Sequence, residues 1–377
     1  MIDNISGHKA IVICYDHYNP LGLIRSLGEG GISPIIILIG KNPFLINKSK
    51  YCGLIHNVKD KDEAISCLLQ NYGSEKILPF VFTCNDKSQT AVEDNYDRLL
   101  GKFIFFNSGK KGRTLEFMNK HNIMLAASKV GLDIPKGEVI RRGVLPQNVP
   151  YPVITKSITS TSGGWKDDVF ICKNEKELLE AYAKIKSEIV LVEEYIDKEN
   201  ELCLDGISIN NGQDVWMPLK CNYIRSSNKS YGNYMVMSPF DDHELDRKIN
   251  DLFRLIGFDG IFSIEFLVTK DNRLIFLEIN FRHSTWTYSS TYAGANLPII
   301  WAKSMLSGRL ECDDVKLMTE HFTAMNEIGD FKEFAFSKNV GIIKWLKEFH
   351  DCNCTYYYNK KDKAPFWSKL KHTFLKH

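Results

Sequence analysis

Two glutamates and an asparagine lie in a stretch, residues 260–284, whose alternating pattern predicts a β-hairpin. With the turn centred on its polar tip, Glu265 lies opposite Glu278, Ser263 lies opposite Asn280, and all four share one face. Two carboxylates opposite each other repel and should cost stability, unless a divalent cation lies between them. Carboxylate and amide oxygens suit Mg²⁺, which keeps part of its shell for water and phosphate. The pattern therefore predicts a magnesium site.

Arg282 follows the second predicted strand on the same face, where its planar guanidinium can hold a phosphate or a developing oxyanion. The opposite face is apolar and suited to packing on a core. The residues predicted on that apolar face are Ile264, Phe266, Val268, Ile275, Leu277 and Ile279. The hairpin alone leaves a plainer interpretation open, because acids are common on a solvated sheet face and need no function there. Segments upstream of the hairpin decide between a magnesium site and a solvated sheet face.

A loop of small residues, 157–164, lies between a strand predicted to end at Lys156 and one predicted to begin at Asp168. Its hydroxyl groups and backbone N–H groups can cover a polyphosphate, and Lys156 supplies a positive charge beside them. The candidate phosphate-binding residues of the loop are Ser160, Ser162, Gly163 and Gly164. A mobile surface loop is the alternative, because a loop of this composition is not specific by itself.

The predicted strand 189–197 ends in two adjacent acids and an aromatic residue. Backbone groups at the edge of such a strand can bind a purine, while one of the glutamates takes its exocyclic amine. The candidate residues for contacts with the base are Glu193, Glu194, Tyr195 and Ile196. Glu201 follows a few residues later, within reach of a ribose.

In their order along the chain, Lys120, Lys156 with its Gly-Gly loop, the segment EEYIDKENE (193–201) and the motif FLEINFR (276–282) resemble the ATP-grasp superfamily. The similarity is closest to its carboxylate–amine ligases, in the D-aspartate ligase-like branch. There, FLEIN-x-R is followed by an A-G-x-N-L-P segment, which resembles Ala293–Pro298 here.

The resemblance implies a set of residues for each part of the nucleotide. For the phosphates the set is Lys120, Lys156, the loop 160–164 that closes over them and, as a further phosphate-facing lysine, Lys220. For the adenine it is Glu193 and Glu194 with the backbone of Tyr195 and Ile196, and for the ribose it is Glu201. Which glutamate faces the adenine stays open, because the glycine usual between this clamp and the ribose acid is absent.

The same resemblance implies two Mg²⁺ ions, for which Mn²⁺ can substitute, held by Glu265, Glu278 and Asn280. It gives Arg282 the catalytic role of steadying the transferred phosphate and the tetrahedral intermediate. The implied activity is that of an ATP-dependent ligase, in which a carboxylate becomes an acyl phosphate and is joined to an amine. The small-molecule substrates are expected to include an amino acid. Arg225 is a candidate to bind its carboxylate, and a place on a mobile surface loop is the alternative for this residue. Two alternatives stay open: a non-catalytic ATP-binding scaffold protein and a kinase-like phosphotransferase.

Residues 9–40 read as strand, helix and strand, which is the opening of an open parallel sheet in an α/β fold. The turn after the first strand carries no glycine fingerprint, which disfavours a nicotinamide-dinucleotide site, and the absence of GxxxxGK[ST] excludes a P-loop. Residues 107–135 predict a basic loop at 110–113 and then one long helix that ends at Gly131, with Lys120 near its middle. Together with these elements, the resemblance implies an ATP-grasp fold, α+β in its nucleotide lobes, preceded by an N-terminal parallel-sheet domain.

The predicted divisions follow from these motifs. They are residues 1–110 for the N-terminal domain, 111–195 for the hinge helix and small lobe, 196–310 for the large lobe with the magnesium face, and 311–377 for a C-terminal extension.

Composition narrows the class of protein. The chain has 377 residues and a net charge of only +2, so no basic field indicates nucleic acid as a partner. No apolar run is long enough to span a membrane, and the N-terminus has no secretory pattern, so a cytoplasmic protein is expected. The basic tail 360–377, with interleaved aromatics, suits contact with an anionic membrane surface or packing on the parent domain. A homodimer is compatible with these features.

Overall fold

The computed structural model describes residue 5 and residues 7–159, 165–227 and 230–374. Within these residues the strands form three sheets, of five, seven and four strands. The α/β class and the parallel N-terminal sheet predicted from the sequence are confirmed.

The N-terminal sheet is parallel, with the strand order β3-β2-β1-β4-β5. Its strands are β1 (Ala10–Tyr15), β2 (Ile35–Ile39), β3 (Ile55–Val58), β4 (Phe80–Thr83) and β5 (Ile104–Phe105). The helices that accompany them are α1 (Tyr18–Glu29), α2 (Lys61–Tyr72), α3 (Asp86–Asp94) and α4 (Tyr96–Leu99), with a 3-10 turn at Ile46–Lys48. β1 and β4 are almost wholly buried, because helices cover both faces of the sheet.

The predicted hinge helix is two helices, α5 (Arg113–Met118) and α6 (Lys120–Lys129). The backbone of Asn119 is extended, and its side chain caps α6 by accepting from the N–H groups of His121 and Asn122. The prediction of one helix with Lys120 near its middle was wrong. Lys120 is instead the first residue of α6, at the end of the helix nearest the small lobe, where its N–H donates to the carbonyl of Ile158.

The small lobe is a four-stranded sheet with the order β6-β9-β7-β8. Its elements are β6 (Gly137–Arg141), β7 (Val153–Ser157), β8 (Ile171–Cys172), α7 (Glu175–Tyr182) and β9 (Ile189–Glu194), with a 3-10 turn at Trp165–Asp168. Val153, Val190 and Val192 face α7 and form a separate small core with Leu178.

The large sheet has the order β14-β13-β10-β11-β12-β15-β16. Its strands are β10 (Lys198–Ile209), β11 (Asp214–Ser227), β12 (Ser230–Pro239), β13 (Gly260–Thr269), β14 (Leu274–Asn280), β15 (Phe322–Met325) and β16 (Cys354–Thr355). The remaining helices are α8 (His243–Ile256), α9 (Tyr288–Tyr292), α10 (Leu297–Ser307), α11 (Glu327–Phe334), α12 (Ile342–Asp351) and α13 (Ala364–Phe374). β15 and β16 come from the predicted C-terminal extension, which thus completes the sheet.

The N-terminal domain and the large lobe share one continuous core. Trp301 of α10 is fully buried, and its ring packs edge-on against Phe80, Phe82 and Phe106 at centroid distances of 5.7, 5.5 and 4.8 Å. Aromatic contacts of this geometry stabilise beyond their buried area. The carboxyl edge of the N-terminal sheet is therefore held in place beside the hairpin β13–β14.

The predicted pairing of the hairpin is confirmed where the acids lie, since Glu265 is opposite Glu278 and Ser263 is opposite Asn280. One residue further on the register shifts, and Phe266 pairs with Phe276, which leaves Leu277 as the extra residue of a β-bulge. The placement of Ile275 and Leu277 on the core face was wrong for this reason. Phe276 occupies the core face instead, with its ring 5.8 Å from that of Phe266.

Candidate active site

The two glutamates of the hairpin form the centre of the site. Glu265 is 9% exposed, and the amide nitrogen of Asn280 donates to its Oε1 at 3.0 Å and to Oε1 of Glu278 at 3.4 Å. Burial raises the pKa of Glu265 well above its ordinary value, and the charge of Glu278 raises it further. A divalent cation would remove this penalty, because it would compensate both carboxylates at once.

The donor set fits Mg²⁺ better than a closed metal centre. No group of three or more His, Cys, Asp or Glu side chains converges as a metal site in the part of the chain that the structure describes. The two carboxylates would leave further coordination positions to water and phosphate, which is how Mg²⁺ is usually held at nucleotide sites. The amide oxygen of Asn280 accepts from Arg282 in this structure.

Lys120 connects the hinge helix to this acid pair. Its Nζ lies 3.0 Å from Oε2 of Glu278. The charge of Glu278 raises the pKa of Lys120, and the charge of Lys120 lowers the pKa of Glu278. Glu278 is therefore the ionised member of the acid pair, and a cationic side chain is held in the cleft beside it.

Arg282 joins the hairpin to the N-terminal domain. Its Nε donates to Oδ1 of Asp86 at 2.7 Å, and its Nη2 donates to Oδ1 of Asn280 at 2.8 Å. The cap of α3 is Asn85, which accepts from the N–H of Ser88, and Asp86 is the first residue of the helix. Burial lowers the pKa of Arg282, but Asp86 and the charges of Glu278 and Glu265 together outweigh this effect, so the pKa is raised. Asp86 and Asn280 orient the guanidinium from two sides.

The small lobe contributes a second buried ion pair, between Nζ of Lys156 and Oε2 of Glu193 at 2.6 Å. Side chains alternate along β9, so Glu193 faces Lys156, whereas Glu194 accepts from the backbone N–H of Lys136. Gly137 makes this possible, because a Cβ there would lie 2.8 Å from Cγ of Glu193. The charge of Glu193 also raises the pKa of Lys120. Of the two adjacent glutamates, Glu193 is the one that shares the cleft with both lysines.

Two further candidates lie at the start of the large lobe. The N–H of Tyr195 donates to the carbonyl of Pro152 at 2.8 Å, which fixes the strand edge next to Ile196. Glu201 is 6% exposed, forms an ion pair with Lys198, and lies on the same face of the sheet as Glu265. Its charge contributes to the raised pKa of Glu265.

Lys220 does not reach this face. It lies opposite Leu204, which in turn lies opposite Ile264 of the core face, and its Nζ pairs with Asp241 at 2.6 Å. The prediction of Lys220 as a phosphate-facing lysine was wrong, because the register between β10 and β11 assigns it to the other side of the sheet.

Arg225 does not have the role predicted for it either. It is half-buried on β11 and forms ion pairs with Asp330 and with Glu348, the latter at 2.6 Å. These pairs tie the extension to the sheet. Ser160, Ser162, Gly163 and Gly164 lie outside the described residues.

Asp205, which was not among the predicted site residues, is a buried acid on the same sheet face as Glu265. Asp205 is 2% exposed and accepts from Oγ of Ser284 at 3.0 Å, and its Oδ2 has no hydrogen-bond partner among the described residues. Burial raises its pKa to about 7, although the Thr287 and Ser284 hydroxyls act in the opposite direction. The acid holds the loop that follows Arg282. A lone aspartate within the apolar run LCLDGISI was the available signal.

Replacing Asp205 with Asn should flatten the dependence of stability on pH. A carboxyl whose pKa is about 7 in the folded protein, against an ordinary 3.8, stabilises fully at low pH and loses that contribution as pH rises to 7. We expect wild type to lose up to about 1.4 kcal/mol of unfolding free energy per pH unit in this window relative to Asp205→Asn. Denaturant unfolding at several pH values measures this. The exposed Asp313→Asn is the control, and equal slopes for wild type and Asp205→Asn would contradict the assignment.

Comparison with known proteins agrees with this geometry. Residues 127–294 match the model of the ATP-grasp domain. The N5-carboxyaminoimidazole ribonucleotide synthase of Staphylococcus epidermidis (strain ATCC 35984) is 28% identical over 145 residues, which are 38% of this chain and 38% of that protein. The chain therefore matches about two fifths of the length of that relative.

Two solved structures share the fold over most of the chain. The N5-carboxyaminoimidazole synthetase of Staphylococcus aureus superimposes with a TM-score of 0.66 at 14% identity, covering 88% of this chain and 86% of its own. The L-amino acid ligase of Bacillus licheniformis does so with a TM-score of 0.63 at 14% identity, covering 84% and 79%. Residues 127–294 thus match the ATP-grasp domain that the sequence motifs predicted, and the solved structures show the same fold over most of the chain. The D-aspartate ligase-like branch stays a prediction.

No helix in the described residues combines the length and apolar character that crossing a membrane requires.

Proposed function

We propose that this protein is an ATP-dependent carboxylate–amine ligase that activates a carboxylate as an acyl phosphate and joins it to an amine. The observation that carries the proposal is the convergence of Glu265, Glu278 and Asn280 on one sheet face with Lys120 and Arg282 beside them. These groups come from the hinge helix and the large lobe, and Asp86 of the N-terminal domain orients Arg282. A solvated sheet face would not bury such a set.

Phosphoryl transfer depends mainly on positioning and on neutralising the charge of the phosphates. Two Mg²⁺ ions held by Glu265, Glu278 and Asn280 would neutralise the β- and γ-phosphates of ATP. Lys120 and Lys156 are already held in the cleft by their glutamate partners, so their ammonium groups need little reorganisation to meet phosphate oxygens.

Arg282 has a separate role in this proposal. Its guanidinium is oriented by Asp86 and Asn280 before substrate binds, so it can stabilise negative charge on the carbonyl oxygen as that carbon becomes tetrahedral. The amine then displaces phosphate from the acyl phosphate, and the amide or peptide-like bond forms with loss of a proton. Because the activated species stays on the substrate, the reaction needs no nucleophilic serine or cysteine.

The names of the similar proteins support this class. One is a synthase of a carboxyaminoimidazole ribonucleotide and the other is an L-amino acid ligase. Of the two, the ligase agrees better with the expectation of an amino-acid substrate, and we propose an amino acid for at least one of the two substrates.

Release of ADP from MgATP tests the function. We expect purified protein to release ADP at least about tenfold above its background only when a carboxylate and an amine are both present, in a panel of amino acids and small carboxylates. The reason is that an acyl phosphate accumulates on the enzyme unless an amine consumes it. A coupled assay for ADP, with mass spectrometry of the product, measures both outcomes.

Every other result of that screen contradicts the proposed ligase activity. ADP release that needs no amine would indicate a phosphotransferase. Binding of ATP without ADP release from any pair would indicate a scaffold protein. Glu278→Gln is the control for contaminating ATPases, because its background should remain while its substrate-dependent release is lost.

A further inference from the structure

Two turns of the N-terminal sheet meet the loop that follows Arg282. Asn19, in the first turn of α1 directly after β1, donates to the carbonyl of Cys84 after β4 at 2.6 Å and to the carbonyl of His283 at 2.9 Å. Its Oδ1 also lies 2.7 Å from Nδ1 of His283. The carboxyl edge of an open parallel sheet is where such folds bind ligands. This edge, with His17 on it, is therefore fixed next to Arg282.

His17 presents a hydrogen-bond donor at this edge. Its Nδ1 accepts from the N–H of Asn19 at 3.2 Å, so in the neutral ring the hydrogen is on Nε2. Burial among protein atoms, together with the charges of Lys369 and Arg282, lowers the pKa of His17 to about 4, although the charge of Asp16 acts in the opposite direction. The residue nevertheless keeps part of its surface exposed to solvent.

Lys369 reaches the same edge from the C-terminal helix α13. Its Nζ lies 5.4 Å from the ring centroid of Phe44 and 5.6 Å from that of Tyr357. The helix is anchored there, because Oγ of Ser368 donates to the carbonyl of Phe44 and the ring of His372 stacks on Phe44 at 3.7 Å. The ammonium group is thus positioned by aromatic packing rather than by an ion pair.

In the described part of the chain, the ammonium group of Lys369 has no ion-pair partner, and the neutral His17 ring beside it has no carboxylate partner either. Among the described residues, no carboxylate lies within ion-pair distance of Lys369 or His17. The carboxylate of Asp16, which acts on Lys369 electrostatically, is bound by the backbone N–H groups of residues 44–46. Burial lowers the pKa of Lys369, and the positive charge of Lys332 lowers it further. The ammonium group of Lys369 therefore lies near another positive charge without an ion pair to any described residue, and a bound anion would compensate it.

We propose that Lys369 and His17, with Arg282, bind an oxyanion group of the substrate, either a carboxylate or a phosphate. The inference rests on the proposed ligase function and defines its substrate class. The substrate that reacts beside Arg282 carries a negatively charged group in addition to the group that reacts. The C-terminal extension then contributes directly to the substrate site, and substrates without that charge are poor ligands.

Anion binding in the presence of a filled nucleotide site tests this. The protein is saturated with Mg²⁺ and a non-hydrolysable β,γ-imido analogue of ATP, so that the phosphate positions of the nucleotide are occupied. Inorganic phosphate and, separately, succinate are titrated at constant ionic strength, with thermal shift and calorimetry as readouts. We expect saturable binding of one of the two anions, weakened about tenfold or more in Lys369→Gln. Which anion binds distinguishes a phosphate from a carboxylate group.

Matched variants decide the outcome. Lys371→Gln removes an exposed lysine from the same helix and should bind the anion as wild type does. His17→Asn keeps an N-cap acceptor for α1 but removes the Nε2 donor, so it gives a second measurement if Lys369→Gln folds poorly. Any one of three results overturns the inference. These are no binding of either anion, an equal loss of affinity in Lys371→Gln, and unchanged affinity in both Lys369→Gln and His17→Asn. Failure of the nucleotide analogue itself to bind would instead contradict the proposed function.

Discussion

Glu278→Gln is expected to abolish substrate-dependent ADP release while leaving the fold intact. The glutamine keeps the size and one acceptor oxygen of Glu278, but it removes the charge that pairs with Lys120 and that would hold Mg²⁺. Loss of a charged group at the transferring phosphate costs on the order of 10³-fold in turnover. The ADP assay measures the rate, and circular dichroism with thermal unfolding measures the fold. Release of ADP at the wild-type rate would contradict the metal assignment.

A comparison with Lys120→Met separates the two roles of Glu278. If Glu278 binds the cation, Glu278→Gln should raise the Mg²⁺ concentration needed for half-maximal nucleotide binding, whereas Lys120→Met should weaken nucleotide binding at every Mg²⁺ concentration. If Glu278 only orients Lys120, the two variants should behave alike. Asp271→Asn is the matched control, because this acid lies on the exposed tip of the same hairpin and should change neither property.

The sequence predicted the hairpin pairing because two features agreed, a period-two pattern on both strands and a polar tip that fixed the register. The bulge at Leu277 could not be predicted in the same way. It depends on Phe276 packing against Phe266, and either register places an apolar residue there. The tip itself adopts a register one residue away from the predicted one, and the extra residue of the bulge restores the predicted pairing at the acids.

Lys120 shows a different limit of the sequence. Its approach to the acids follows from a break between α5 and α6 at Asn119, and the apolar spacing is similar in one helix or in two. An asparagine immediately before a run of helix-forming residues is a capping signal, so this break was partly available in the sequence. The position of Lys120 in the first turn of α6, facing Glu278, could be seen only from the three-dimensional packing.

Local sequence patterns could not predict contacts between segments that are distant in the chain. Arg282 meets Asp86 across 196 residues, and only the shared core around Trp301 brings them together. Lys220 was predicted on the wrong side of the sheet for a related reason, because the alternating pattern of its strand allows a lysine to face either side. Its face depends on the register between β10 and β11, which is irregular at Gly206.

Arg25→Met is expected to have the largest effect on stability. Arg25 is fully buried in α1, and its Nε lies 3.0 Å from Oδ2 of Asp362. Its two terminal nitrogens also donate to the carbonyls of Tyr356 and Tyr357, each at 2.8 Å. Removing one partner of a buried pair leaves an uncompensated charge, which costs about 3–5 kcal/mol. We therefore expect the free energy of unfolding to fall by that amount in denaturant titrations.

The double variant Arg25→Met with Asp362→Asn tests the physical reason. It buries no unpaired charge, so it should be more stable than Arg25→Met alone, although Ser49 and Lys50 keep their contacts with residue 362 in both. Arg247→Met, at an exposed pair on α8, is the control and should change stability by less than about 1 kcal/mol. A double variant no more stable than the single one would show that the backbone contacts of Arg25, rather than its charge, stabilise the fold.

The same pair links stability to the anion site. Residues 356–362 lead directly into α13, which carries Lys369, and Arg25 fixes them to the first helix of the N-terminal domain, which His17 caps. Loss of Arg25 should therefore loosen the position of Lys369 relative to His17 before the protein unfolds. We expect Arg25→Met, measured well below its unfolding temperature, to bind the nucleotide analogue as wild type does but to lose affinity for the anion. Equal losses for both ligands would mean that Arg25 acts on the whole fold rather than on the attachment of the extension.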